Sequence, residues 1–239
     1  IMKKHFLLVF GLILFSSLSA QTYFEETFDT AIPATWQNID NTTNGGGVWE
    51  WLANGGAGIA LFNSDGYGND SKAEDADLIT PTIDCSAGTV IYLNIDGFFR
   101  QFQGSTGTVS VSNDDGATWT VVKTITADAG AEYIDISAVA ASSATVKLKL
   151  NYTGDYDYYW VIDAIKVYTP DAIDASILSI TNEEYVDLTG STTFTGSIQG
   201  LGSNNITSFD LSYSVAGAAL VTIPVSGVNI ALGGLYTYT

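Results

Sequence analysis

Short runs of β-branched and aromatic residues recur along most of the chain, and clusters of Gly, Asn, Asp and Ser separate them. Such runs indicate β-strands joined by turns. Val146, Leu148 and Leu150 alternate with polar residues, which predicts a strand with one buried and one solvated face. Only residues 136–141 have a briefly helical pattern. The sequence therefore predicts an all-β protein of sandwich, jelly-roll or barrel type, whose clearest strands cover residues 90–95, 108–112, 118–125, 145–151 and 158–168.

The first 20 residues have a different pattern. Lys3 and Lys4 precede an apolar run over residues 6–15, and small residues follow up to Ala20. This order predicts a secretory signal peptide over residues 1–20, cut after Ala20 or one residue earlier. A core helix is the alternative, but nothing amphipathic continues the run. The run is about half the ~20 residues that span a bilayer, so we expect a mature chain that is secreted or at the cell surface, without a membrane-spanning segment.

A change of amino-acid composition near residues 169–171 predicts a domain boundary. Residues 172–239 contain no Trp and few charges, and they are rich in Ser, Thr and Gly. Their predicted strands are typical of an immunoglobulin-like sandwich, although about 68 residues is short beside the usual ~100. We expect a first β-domain over residues 21–169 and a truncated immunoglobulin-like β-sandwich over residues 171–239, with the natural protein continuing beyond Thr239.

Charge and composition exclude several functions. Removal of the leader leaves six of the eight basic residues against 26 acidic ones, a net charge of about −20, and it removes the single histidine, His5. Ser-His-Asp and Cys-His catalysis need an imidazole, as do HExxH and His/Cys zinc sites, so all are excluded from the mature chain. Nucleic-acid binding depends on Lys and Arg, and Arg100 is the one arginine. We expect no nucleic-acid partner.

The excess of carboxylates suggests bound cations. Ca²⁺ prefers oxygen ligands and suits an extracellular setting, so we expect a structural calcium; a merely solvated acidic surface is the alternative. Cys85 is the single cysteine, which leaves no intrachain disulfide.

Four sequence motifs occur in order over residues 23–168. They are ETFD at 26–29 with Trp36 and Trp49 after it, DADLITP at 75–81, VSVSNDDGATW at 109–119 and WVIDAIKV at 160–167. In this order they resemble the cleaved-adhesin/MAM-like family of secreted Bacteroidetes-type proteins, of the choice-of-anchor J type. The resemblance implies a jelly roll in an adhesin or protease-associated protein, with type IX secretion and surface attachment.

The same resemblance implies a metal site. In the family fold the first and last strands come together, and carboxylates near Asp29 and Asp163 bind a structural cation. An aspartate within an apolar strand is costly unless it is paired or metal-bound, which singles out Asp163. We expect Asp77 and Asp65 to complete the calcium shell, with Glu26 and Asp40 as weaker candidates. Solvent exposure of Asp163, or capping of backbone amides by it, is the alternative.

Two aromatic clusters are candidate ligand sites. Residues 98–102 read FFRQF, and five aromatic residues lie among residues 152–160 beside Asp155 and Asp157. Aromatic rings next to polar groups suit sugar or protein contact, although packing is their commonest use. From these clusters we expect Phe99, Arg100, Tyr156 and Tyr158 to bind the ligand.

Residues 112–119 also fit the S-x-D-x-G-x-x-W pattern of sialidase propellers. A propeller repeats its signature in every blade, whereas this chain has one copy. We therefore expect an ordinary hairpin, with Trp119 packed on the next strand.

Together these features predict a secreted, non-catalytic adhesion module that is stabilised by calcium and binds an extracellular protein or glycan. A structural spacer is the first alternative. The second is an accessory part of a secreted hydrolase whose catalytic domain lies outside this chain, since none of the 26 acids stands out as a catalytic pair.

Overall fold

A computed structural model describes residues 20–43, 45–68, 72–182, 194–213, 219 and 221–239. Residues 1–19, and with them nearly all of the predicted signal peptide, lie outside the described residues. No helix in the described part is both long and apolar enough to cross a membrane.

The first domain is a two-sheet β-sandwich of jelly-roll type, as the sequence predicts. Its strands are β1 Gln21–Glu26, β2 Gln37–Asp40, β3 Glu50–Asn54, β4 Ala57–Asn63, β5 Glu74–Ile79, β6 Tyr92–Arg100, β7 Thr106–Ser112, β8 Thr120–Ile125, β9 Glu132–Asp135, β10 Lys147–Gly154 and β11 Tyr159–Thr169. Two short helices, α1 Ser64–Tyr67 and α2 Ser137–Ala140, connect strands. The helix α2 lies within the segment that has the helical pattern.

Each sheet is antiparallel and joins strands that are distant in sequence. Sheet A has the order β3-β4-β11-β6-β9, and sheet B has the order β2-β5-β10-β7-β8. Strands β4 and β1 pair with successive parts of β11, at residues 159–162 and 165–169. The first strand of the domain thus pairs with its last strand, as the family resemblance implies.

The core lies between the two sheets and is rich in large aromatic side chains. Trp160 of β11 packs against Trp49, with ring centroids 5.4 Å apart, and against Phe99 of β6 at 5.7 Å. A Cβ on Gly107 of sheet B would lie 3.0 Å from the Trp160 ring, so glycine lets the two sheets approach here. The alternating residues Val146, Leu148 and Leu150 are all buried, which confirms the predicted two-faced strand.

The residues after Thr169 form smaller sheets around a small core. Strands β12 Ala175–Asn182, β13 Phe194–Gly200 and β16 Leu235–Tyr238 make one sheet, while β14 Ile206–Tyr213 and β15 Val221–Ile230 make another. The core contains buried Ile198, Ile206 and Ile230, and Phe209 contacts Tyr236 edge-to-face. The all-β character is as predicted; the immunoglobulin-like arrangement and the exact domain boundary stay predictions.

Candidate functional site

Four aromatic side chains form a surface row at the end of sheet A where β6 ends and β11 begins. Phe98 contacts Tyr159 with ring centroids 6.4 Å apart, Tyr159 contacts Tyr158 at 6.3 Å, and Tyr158 contacts Phe102 at 5.8 Å. Successive ring planes are inclined by 49°, 59° and 55°. Phe102 is 70% exposed. We call Phe98, Tyr159, Tyr158 and Phe102 the aromatic strip; it offers both ring faces and ring edges to a ligand.

Arg100 lies directly on the aromatic strip. It is the cross-strand partner of Tyr159, and its guanidinium carbon is 5.2 Å from the centroid of the Tyr158 ring. This is within the range of a cation–π contact. Within the described ranges the side chain of Arg100 has neither an ion pair nor a hydrogen bond. Its N–H donors are therefore available beside four aromatic rings.

The buried carboxylate of Asp157 fixes the loop that carries Phe102. Asp157 is 3% exposed and accepts hydrogen bonds from the backbone amides of Phe102, of Gln103 at 2.8 Å, of Ser105 at 2.9 Å and of Tyr158 at 2.7 Å. Burial raises the pKa of Asp157, but the amide hydrogen bonds outweigh burial and hold the pKa below its ordinary value. One carboxylate therefore joins the two loops on which Phe102 and Tyr158 lie, and the strip is held in place before any ligand arrives.

The four predicted ligand residues have different positions. Arg100 and Tyr158 belong to the surface site. Phe99 is 1% exposed and packs against Tyr152 and Trp160, so it is a core residue and not a surface contact. Tyr156 is half-buried beside the site, with a φ of 50°, and its carbonyl accepts a hydrogen bond from Gln103 Nε2 at 3.0 Å.

Sequence reasoning did not select Phe98, Phe102, Tyr159 or Asp157. A signal for Phe98 was present in the strand period. Successive residues of a strand face opposite sides, so Arg100 at the surface requires Phe98 at the surface and Phe99 inside. No comparable signal marks Asp157, because three of its four amide partners lie more than 50 residues away along the chain.

The structure gives different local contacts for the four predicted calcium ligands. Asp77 belongs to sheet B, where Asn151 donates to it at 2.8 Å and Lys149 lies 3.7 Å away. The backbone amide of Asp65 donates to the carbonyl of Tyr158, and Asp29 is exposed beyond the end of β1. Among the described residues no group of three or more His, Cys, Asp or Glu side chains is arranged to hold a metal ion. The four residues and the calcium itself stay predictions, which a variant of Asp163 tests.

Asp163 lies at an irregularity of β11, where the register with β6 shifts between Ile162 and Ala164. The side chain is half-buried, and burial together with the negative charge of Asp96 raises the pKa of Asp163. A carboxylate in this position is destabilising unless a cation offsets it.

Asp163→Asn therefore distinguishes two states of the protein. Without a bound cation we expect the variant to melt at a higher temperature than the wild type, because it lacks the repulsion from Asp96. With bound calcium we expect it to melt at a lower temperature, and EDTA should then lower the melting temperature of the wild type alone. Thermal melts of both proteins in calcium and in EDTA give the answer. Equal melts of the wild type in both buffers would remove the calcium prediction.

The single propeller-like motif forms the predicted hairpin between β7 and β8. Asp114 accepts hydrogen bonds from the Thr118 amide and hydroxyl and from the Ser112 hydroxyl, and these bonds lower the pKa of Asp114 to about 2. Trp119 lies under Lys149 of β10, with 4.9 Å from Nζ to the ring centroid. The ring thus lies against Lys149 of β10.

Comparisons with known proteins give broad likenesses. No family model matches the chain, and no curated protein sequence is similar to it. Among solved structures, the K1 and K3 cleaved adhesin domains of Lys-gingipain from Porphyromonas gingivalis W83 are 20% and 16% identical. Each match covers 62% of this chain and 97% or 99% of the adhesin domain, with a TM-score of 0.45. TmCBM61, solved with β-1,4-galactotriose, is 12% identical over 62% of this chain and 97% of its own, with a TM-score of 0.43. This chain is thus similar, at low identity, to adhesin domains and to a carbohydrate-binding module.

Proposed function

We propose that this protein is a secreted, non-catalytic binding module that attaches to an extracellular protein or glycan through the aromatic strip and Arg100. One observation carries the proposal: exposed Phe102 and Tyr158 lie on two loops that buried Asp157 joins through four backbone amides. Ordering a loop on binding costs free energy, so a surface that is already fixed binds more tightly than a flexible one.

The composition of the strip supports the same function. Tyr, Phe and Arg are enriched in protein–protein interfaces, whereas Asp, Glu and Lys are depleted there. The four aromatic residues of the strip lie beside Arg100, the single arginine of a chain that carries 26 acidic residues. Aromatic residues without a binding role are usually buried in the core, where Trp49 and Trp160 lie. The proposal does not depend on calcium.

Binding screens with strip variants test the proposal. We expect the purified protein to bind at least one member of a glycan array or of a panel of immobilised extracellular proteins. Phe102→Ala and Tyr158→Ala should each weaken that binding by about tenfold or more, as central aromatic contacts do. Val121→Ala is the control, because Val121 is exposed on sheet B and its loss should leave affinity unchanged.

The outcomes separate the competing functions. Binding that survives both aromatic substitutions would place the ligand elsewhere on the protein. Silence across both panels would favour the structural spacer. Turnover of a substrate by this chain would favour the hydrolase.

A further inference from the structure

Arg100 differs from the other cations of the described structure. Lys123 pairs with Glu132 at 2.8 Å, Lys147 with Asp115 at 3.0 Å, Lys149 with Asp77 at 3.7 Å and Lys166 with Glu25 at 3.6 Å. In the described part of the chain Arg100 has no such partner, although the chain has 26 acidic residues. The guanidinium is supported by an aromatic face and not by a carboxylate.

A stacked guanidinium keeps its planar edge for a ligand. Its N–H groups lie in the plane of the group and match the two oxygens of a carboxylate. Such a charge-assisted pair is about twice as strong as a neutral hydrogen bond. We propose, on the basis of the proposed function, that the ligand of the aromatic strip is a glycan containing hexuronic acid, whose carboxylate binds Arg100 while its sugar ring packs against Tyr158 and Phe102.

The size of the site favours an oligosaccharide over a protein. A stable protein–protein interface buries about 800 Å² on each partner. An entire aromatic side chain contributes about 150–250 Å², and Phe98 and Tyr158 are only 38% and 36% exposed. The exposed parts of the four rings together thus cover well under ~800 Å². A surface of this size suits a few sugar units.

Charge sets a second limit on the ligand. The net charge of −18 repels a dense polyanion at long range, and a single guanidinium is matched by a single carboxylate. A neutral glycan has no negative group that could pair with the guanidinium of Arg100. The site therefore suits a glycan in which one uronic acid contacts Arg100 and neighbouring sugar units contact aromatic rings.

Titration calorimetry tests this inference with defined tetrasaccharides. The probes are oligomers of galacturonic, mannuronic and guluronic acid and a hyaluronan tetrasaccharide, each compared with a neutral galactan, mannan or glucan oligomer. We expect at least one uronate oligomer to bind at least tenfold more tightly than the neutral oligomers.

Two charge variants locate the contact. Arg100→Gln should reduce uronate affinity by about tenfold or more, and Arg100→Lys should restore only part of it, because an ammonium lacks the planar fork. Lys166→Gln is the matched control: Lys166 lies on the same sheet, with Nζ 5.9 Å from the Tyr168 ring centroid, and its removal changes the net charge equally. We expect it to retain wild-type affinity.

Other results overturn the inference in ways that can be told apart. If neutral glycans bind through Phe102 and Tyr158 and Arg100→Gln has no effect, the proposed function stands and the uronate inference fails. Arg100-dependent binding of a protein from the extracellular panel, without uronate binding, assigns the site to a protein and also overturns the inference. If neither panel gives a ligand, both fail.

Discussion

Trp160→Ala is expected to lower the free energy of unfolding by about 3–5 kcal/mol, the usual cost of truncating a buried tryptophan. Trp160 is 2% exposed and contacts Trp49, Phe99 and the backbone at Gly107. These neighbours come from both sheets and hold one another in place, so they cannot close the cavity that the indole leaves. At about 2–4 °C per kcal/mol for a protein of this size, a thermal melt followed by near-ultraviolet circular dichroism detects the change.

Trp51→Ala is the control for the core substitution. Trp51 is 39% exposed at the edge strand β3, and its Nε1 donates to the carbonyl of Phe28 at 2.7 Å. Its truncation removes one hydrogen bond and a ring that is already more than one-third exposed, so we expect a smaller loss of stability than for Trp160→Ala. Equal losses in the two variants would show that the packing between Trp160 and the two sheets is not what stabilises the domain.

Asp157→Ala is expected to destabilise the protein by about 3 kcal/mol and to abolish ligand binding. The substitution leaves four backbone amides without their acceptor, and each buried donor that loses its partner costs about 1–3 kcal/mol unless water replaces it. The same change releases the loop that carries Phe102, so the aromatic strip loses its fixed arrangement. Denaturant unfolding measures the first effect, and the glycan and protein panels measure the second.

Asp155→Ala is the matched control for this acid. Asp155 is exposed two residues away, and its removal changes the net charge equally. An exposed substitution of this kind usually alters stability by less than about 0.5 kcal/mol. An Asp157→Ala protein as stable as Asp155→Ala would contradict the role of Asp157 in joining the two loops.

The pH dependence of stability supplies a second check on Asp157. Because the folded pKa of Asp157 lies below its unfolded value, the carboxylate contributes stability above the unfolded pKa, which is about 4. This contribution is lost as the pH falls through the folded pKa. The difference in stability between the wild type and Asp157→Ala should therefore be constant near neutral pH and shrink below about pH 4.

The aromatic strip shows which side chains the two-residue period of a strand can assign to the surface. Residues 98–102 were recognisable as a candidate site from their composition, and the period of two places Phe98 and Arg100 on one face and Phe99 on the other. The prediction named Phe99 because composition alone does not tell the faces apart. Once β6 pairs with β11, with Trp160 opposite Phe99, the buried ring is fixed without ambiguity.

The acidic residues show where sequence reasoning ends. Asp163 was expected to need a partner, and it lies half-buried near another acid, Asp96. The sequence predicts that Asp77 binds the same calcium ion as Asp163. In the structure Asp77 belongs to the other sheet and interacts with Lys149 and Asn151. In a chain with 26 acidic residues, residue type does not identify which carboxylates become neighbours.

The sequence by itself determined the all-β class, the run of short strands and the alternation that buries one face of β10, because these depend on local preference and on a period of two residues. It also determined the small number of Lys, Arg and His residues, which no fold can alter. The tertiary structure alone decided that Asp157 joins two loops and that Arg100 lies on Tyr158 without an ion pair in the described structure. Both arrangements bring together residues that are more than 50 positions apart along the chain, and only the pairing of β6 with β11 places them side by side.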